Sequence, residues 1–280
     1  MFWQTSRRKL PLEKTLVMAI LNVTPDSFSD GSEFLSVDDA VKQAGKLINE
    51  GADILDIGGE STRPGSERVS ANEEIIRVVP LIEAITERFD IPVSIDTSKA
   101  EVAKAAVDSG VEIINDISGL RFDQKVGEVA AHNNTGLVLM HSRGTFETMH
   151  SQEPIDDIFE EVSDFFRASI KDALSFGVDP ANIVLDVGIG FSKTFEQNLE
   201  LLAKLDKLIT EFPLFPFLVG TSRKSFIGKI LGGVPADKRL SGSLASVVIA
   251  VLNGAHILRV HDVKEMVEAV KVVGAIKEQL

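Results

Sequence analysis

The sequence predicts an α/β fold, a single (β/α)8 TIM barrel of parallel strands with long loops after strands one and two. Two observations carry that expectation. Eight short apolar runs each read as a strand, and each is followed by a helix-compatible segment; eight such units in one chain imply a closed parallel barrel with helices outside. A glycine-led approach to the strand also recurs, as Gly51-Ala52-Asp53-Ile54-Leu55-Asp56, Gly110-Val111-Glu112-Ile113-Ile114-Asn115 and Gly254-Ala255-His256-Ile257-Leu258-Arg259. In each copy a glycine supplies the left-handed cap that ends a helix, and a strand follows. An open doubly wound sheet is the rival, but no G-x-G-x-x-G follows the first strand and no P-loop motif occurs.

Sliding that register along the chain gives the other runs in order: Ala19-Ile20-Leu21-Asn22, Val93-Ser94-Ile95-Asp96, Leu137-Val138-Leu139-Met140, Ile183-Val184-Leu185-Asp186 and Phe217-Leu218-Val219-Gly220. Helical periodicity is clearest over 39–50, 73–89, 99–109, 155–176, 196–212, 241–253 and 264–278, and weaker over 123–133. Ser70-x-x-Glu73 and Ser98-x-x-Glu101 read as capping boxes that open two of these helices. The terminal register position holds Asn22, Asp56, Asp96, Asn115, Met140, Asp186, Gly220 and Arg259. Barrel active sites lie at the C-terminal ends of the strands, so these mostly polar groups are expected to converge on one cavity. Carboxylates stranded there without a task or a partner would be costly. On the last strand Arg259 and His261 share a face, because successive side chains alternate. That pair suits an anion, and equally an internal ion pair with a carboxylate; the strand alone leaves both open.

With 280 residues the chain is somewhat longer than a typical barrel, which allows enlarged loops but no second domain. It is read as one domain over 1–280 with an N-terminal extension at 1–14. An apolar content of 44% suffices for a substantial core. The net charge of −13 argues against nucleic acid, whose binding rests on neutralising phosphates, though a local basic pocket can still take a small anion. With no cysteine, disulfides, thiolate catalysis and cysteine zinc sites are excluded. The N-terminus has no apolar signal-like run and no segment long enough to span a membrane, so a cytoplasmic enzyme with no membrane partner is expected.

Two loops stand out. Residues 22–31, rich in Pro, Asp, Ser and Gly, carry Phe28, an aromatic that either tucks onto the barrel or closes over a ring substrate. Residues 58–65 carry Arg63 beside a Pro64-Gly65 turn. Their composition implies mobility in the free enzyme.

Residues 22–31 and 60–65, together with Gly220-Thr221-Ser222-Arg223-Lys224-Ser225, Arg239-Leu240-Ser241-Gly242-Ser243-Leu244-Ala245 and Arg259-Val260-His261-Asp262, resemble the dihydropteroate synthase family. The resemblance runs from about residue 18 to the C-terminus. It departs from the family pattern at Ser142, Phe146, Val187 and Ser192, where Met, Pro, Pro and Gly are usual. It implies an enzyme of folate synthesis and a sulfonamide target, which joins 6-hydroxymethyl-7,8-dihydropterin pyrophosphate to p-aminobenzoate by an SN1-like displacement. It implies that Asp96, Asn115, Asp186 and Lys224 hold the pterin edge and that Met140 gives the ring an apolar surface. Arg259, His261, Arg63 and Asn22 would meet the pyrophosphate, with Asn22 the one protein ligand to Mg²⁺. Phe28, Thr62, Pro64, Phe191, Ser222 and the stem of Lys224 would line the p-aminobenzoate slot. Lys224, Arg259, His261 and Arg63 are the expected catalytic set, with no general base because an aniline nitrogen is already nucleophilic. His141 and His150 are expected at the rim. A homodimer is implied, and the last two helices are apolar enough to offer a face. A methyltetrahydrofolate-dependent methyltransferase barrel and a non-catalytic pterin-binding protein are the rival readings.

Overall fold

The computed structural model describes residues 1–23, 37–63 and 65–279. A short antiparallel hairpin comes first, β1 (Phe2–Gln4) with β2 (Lys9–Pro11). Then β3 (Leu16–Asn22), β4 (Ile54–Gly58), β5 (Val93–Asp96), β6 (Ile113–Asp116), β7 (Gly136–Met140), β8 (Ile183–Asp186), β9 (Phe217–Val219) and β10 (Ile257–Val260) follow. These eight are all parallel and close into a barrel, with β10 hydrogen-bonded to both β9 and β3. The helices between them are α1 (Val37–Asn49), α2 (Ala71–Arg88), α3 (Ala100–Asp108), α4 (Lys125–Asn133), α5 (Ile158–Ser175), α6 (Phe195–Ala203), α7 (Leu205–Glu211), α8 (Ser225–Ile230), α9 (Leu240–Leu252) and α10 (Val263–Lys277). The expected eight-unit barrel is therefore the fold observed.

The strands alternate, and the alternation sorts their side chains into two cores. Val17, Ala19, Leu55, Ile57, Ile95, Leu139, Leu185 and Leu258 pack outward against the helices. Met18, Ile54, Ile113, Val138, Val184, Leu218 and Ile257 pack inward in the lower barrel, and Trp3 of the hairpin joins them with no exposed surface. Its indole Nε1 donates to the Asn182 carbonyl at 2.7 Å, so the one polar atom of that plug is satisfied. Thr5 and Arg8 fasten the hairpin's turn to the buried Glu112. The residues read as an extension thus form the floor of the barrel.

Local details depart from the sequence reading in four places. The helical stretch 196–212 breaks at Lys204, whose ψ of 29° at φ −126° separates α6 from α7. Ser70 does accept from the Glu73 N–H at 3.2 Å, but Ser98 caps nothing. The first turn of α3 is met instead by Asp123, which accepts from Ala100 N at 2.9 Å. The helix α8, directly after Lys224, was not expected.

The most consequential departure concerns depth. The repeat makes Asp56 the equivalent of Asn22, yet the pairing sets Asn22 opposite Gly58 and Ile20 opposite Asp56. Gly58 in turn faces Asp96, which faces Asn115. Barrel strands are staggered, so equal sequence register is not equal height. Asp56 lies one inward step deeper and has no exposed surface.

Candidate active site

At the upper end of the barrel the inward positions change from apolar to charged within two residues. Arg259 on β10 reaches across the mouth: its Nε donates to Asp56 Oδ2 and its Nη2 to Asp96 Oδ2, each at 2.6 Å. Asn115 Nδ2 donates to the same Asp56 oxygen at 3.0 Å. Of the two possibilities left open for Arg259, the internal ion pair is the one present, with Asp56 as a partner to which no role had been given. Burial alone would lower the Arg259 pKa, but Asp56 and Asp96 outweigh it and hold it above its usual value. Only two of its five N–H donors are used in these bonds, so the guanidinium can still face an anion.

Asp96 pays for this crowding in protonation. Burial pushes it up to about 7 against the pull of Arg259, and the neighbouring Asp56 and Glu74 push the same way. Asp186 at the end of β8 is also raised by burial, and it accepts from Gly188 N at 2.8 Å. Gly188 has φ +65°, and a Cβ there would fall 2.0 Å from the His141 carbonyl, so only glycine lets this turn pack against the end of β7. Burial and Arg259 bring Lys224 down to about 8, with Asp186 and Asp96 opposing. Its Nζ lies 4.1 Å from the centre of the Phe191 ring.

The segment that presents Lys224 is braced from behind. Arg223, at φ +58°, pairs with Asp262 through Nε and Nη2, at 3.0 and 2.5 Å. Its N–H donates to Ser243 Oγ and its carbonyl accepts from Arg239 Nη1. The motif 239–245 therefore holds the Lys224 turn rather than touching the cavity. His261 Nδ1 lies 3.1 Å from Ser222 Oγ, which also accepts from the His261 N–H. Burial, Arg259 and Arg223 push this imidazole down to about 3 despite Asp262. A neutral ring accepting the Ser222 proton at Nδ1 carries its own hydrogen on Nε2.

Met140, Phe191, Phe146, Met149 and Ile117 form a small apolar cluster beside the charged groups. The structure thus brings together Asp96, Asn115, Asp186, Lys224, Arg259, His261, Ser222, Phe191 and Met140. Asn22 is close by: a Cβ on Gly58 would lie 2.8 Å from Asn22 Oδ1 and 3.7 Å from Asp96 Cβ. Thr62 joins through its carbonyl, 2.8 Å from His150 Nε2, and Arg63 is exposed next to it. Phe28 and Pro64 lie outside the described residues. His141, expected at the rim, is enclosed instead, with Nδ1 2.7 Å from Lys193 Nζ. Lys193 also donates to the Gly188 and Phe191 carbonyls, tying down the loop that carries Phe191. Among the described residues no cluster of three or more His, Asp or Glu could hold a metal ion, and no helix is long and apolar enough to cross a membrane.

A closed parallel barrel with buried carboxylates, an amide and a lysine at its C-terminal mouth defines a barrel enzyme built for a hydrogen-bonding heterocycle, and residues 18–261 match the family of pterin binding enzymes. The chain is 48% identical over 264 residues to a dihydropteroate synthase of Synechocystis sp., covering 94% of this chain and 91% of that one. The Yersinia pestis dihydropteroate synthase, solved with a sulfonamide drug, superposes with a TM-score of 0.93 at 42% identity and full coverage of both chains. The Xanthomonas albilineans dihydropteroate synthase, solved with 4-aminobenzoic acid, gives 0.91 at 40% identity, covering 99% of this chain and 98% of that one. The chain belongs to the dihydropteroate synthase family, and it is a transferase.

Proposed function

We propose that the chain condenses 6-hydroxymethyl-7,8-dihydropterin pyrophosphate with p-aminobenzoate, giving 7,8-dihydropteroate and pyrophosphate, with residues 1–280 working as one domain. The observation that carries this reading is the cross-barrel set of Asp56, Asp96, Asn115, Asp186, Lys224 and Arg259. An aminopyrimidinone edge offers N–H donors beside a carbonyl; carboxylates and an amide match the donors, and Lys224 donates to the carbonyl and ring nitrogen. Met140 gives the ring its apolar floor. Arg259, with Arg63 and the Nε2–H of His261, stabilises charge building on the pyrophosphate as its C–O bond breaks ahead of attack. The aniline nitrogen then bonds to the cationic methylene and loses its proton. Phe191, Thr62, Ser222 and the Lys224 stem, with Phe28 and Pro64, form the slot that holds p-aminobenzoate.

Asn22 fits a Mg²⁺ that arrives with the pyrophosphate: one amide oxygen at the mouth suits a cation that keeps several waters and takes phosphate oxygens. When bound, that ion would neutralise part of the leaving charge. With no cysteine the chain gains nothing from an oxidising compartment, and a cytoplasmic setting belongs to the same proposal.

The test is pyrophosphate release from the pterin pyrophosphate, with and without p-aminobenzoate. Release that requires p-aminobenzoate is expected. Release at the same rate without it overturns the synthase reading, and pterin binding with no release leaves the non-catalytic rival.

We further propose a homodimer across the outer face of α9 and α10. Ile249 and Leu252 are each 44% exposed there, with Val272 at 61% and Ile276 at 55%. Light scattering at micromolar concentration should give twice the chain mass; a value of 30.4 kDa would exclude the dimer.

A further inference from the structure

The loop after β7, residues 141–152, touches both of its neighbours across the mouth. On one side Ser192, at φ +53°, binds it to the loop after β8. The Ser192 N–H and Oγ both donate to the Met149 carbonyl at 2.8 Å, and Oγ accepts from Arg143 N at 2.8 Å. The backbone entering His150 is thereby fixed to the backbone leaving Phe191. On the other side the loop receives Thr62 and Arg68. The Arg68 guanidinium lies 5.3 Å from the Phe146 ring centre, and the Thr62 carbonyl lies 2.8 Å from His150 Nε2. The His150 and Phe191 rings are 5.4 Å apart between centroids, with their planes at 32°.

His150 therefore stands between Thr62 and Phe191, the two residues placed on either side of the p-aminobenzoate slot. A carbonyl can only accept, so Nε2 must be the protonated nitrogen. Burial lowers the His150 pKa and Lys224 adds to the effect, favouring a neutral ring, while backbone hydrogen bonding to Thr62 and, more weakly, Gly190 opposes. The contact joins two loops that no strand pairing connects. A flat slot depends on the spacing of its walls, and a hydrogen bond at one wall combined with a ring contact at the other sets that spacing.

We propose that His150 is a positioning residue for the second substrate, holding the Thr62 segment at a fixed distance from Phe191. This rests on the assignment of Thr62 and Phe191 to the p-aminobenzoate slot. His150 itself touches neither reacting atom, so its effect is expected in KM for p-aminobenzoate, with kcat and KM for the pterin pyrophosphate unchanged.

Steady-state kinetics on the full chain test this with four variants. His150→Ala should raise KM for p-aminobenzoate about tenfold, the worth of one neutral hydrogen bond. His150→Gln, whose amide N–H can reach the same carbonyl, should restore it, and His150→Phe, a ring with no donor, should not. Equal KM in Gln and Phe variants overturns the proposal even if the Ala variant fails to fold, as does a fall in kcat that Gln does not rescue. Phe191→Ala is the control for the slot. If it leaves KM for p-aminobenzoate unchanged, the slot assignment fails; if it raises KM while His150→Ala does not, the slot stands and His150 has no part in it.

Discussion

At the lower end of the barrel Trp3 fills a ring of Met18, Ile54, Ile113, Val138, Val184, Leu218 and Ile257, and its only polar atom is satisfied. At the upper end the same inward faces, two residues further along several strands, carry Asp96, Asn115, Asp186 and Arg259. The lower end is assembled for cohesion: apolar surface is removed from water, and the buried carboxylate beside it, Glu112, is paired with Arg8. The upper end encloses charges whose protonation is displaced from normal, Asp96 to about 7 and Lys224 to about 8. Such groups are costly to bury and are held in place by a scaffold whose stability comes from elsewhere. One barrel thus separates what keeps it folded from what binds.

The sharpest test of that division is Trp3→Ala. It should cost about 3–5 kcal/mol of stability, as expected for a large aromatic lost from a tight core. Denaturant unfolding would measure the loss, and the folded fraction should keep wild-type KM for both substrates. A change in KM would show that the floor and the mouth are coupled.

The mouth should respond in the opposite way. Asp186→Asn places an N–H against a pterin N–H, and it should weaken pterin binding by about 2 kcal/mol or more. Because burial already raises the Asp186 pKa, replacing the carboxylate should leave the unfolding midpoint unchanged or slightly higher. Calorimetry with the pterin, alongside denaturant unfolding, reads both quantities; unchanged affinity would remove Asp186 from the pterin site.

A smaller effect follows from Asp96, whose folded pKa of about 7 lies above the ordinary 3.8 of an aspartate. Between those values the native state binds more protons than the unfolded one, so this group's contribution to stability is present at low pH and lost as pH rises toward 7. Pterin binding runs the other way, since its donors need the carboxylate. Affinity should therefore rise with pH, by at most about 1.4 kcal/mol per unit below 7, and level off above. Thermal unfolding with and without pterin at pH 6 and pH 8 measures the difference, and Asp96→Asn should flatten it.

The barrel was legible because alternating strands and glycine caps repeat, and the same register named Asp96, Asn115, Asp186 and Arg259 before any side chain was placed. The depth of Asp56 was not legible, because stagger exists only between strands. Trp3 gave no signal either, since a three-residue strand has too little pattern and its hydrogen-bond partner is 179 residues away. Lys204 interrupts a stretch that remains helical by composition, and Asp123 displaces Ser98 as the cap of α3 from a different loop. The brace of Arg239 and Ser243 on Arg223, and the reach of His150 to Thr62, are contacts between loops that local sequence does not encode.

The floor has a consequence for how the chain is made. Trp3 waits for Asn182, Leu218 and Ile257, and β3 gains its second neighbour only when β10 pairs Arg259 with Met18. On the ribosome the hairpin therefore emerges before the strands that enclose it, and is covered only once they follow. From the synthesis of β1 to that of β10 the nascent chain must carry an uncovered tryptophan and an open sheet edge. Closure is then a late, long-range event, and loss of β10 would reopen the seam and strip a side chain from the floor at once.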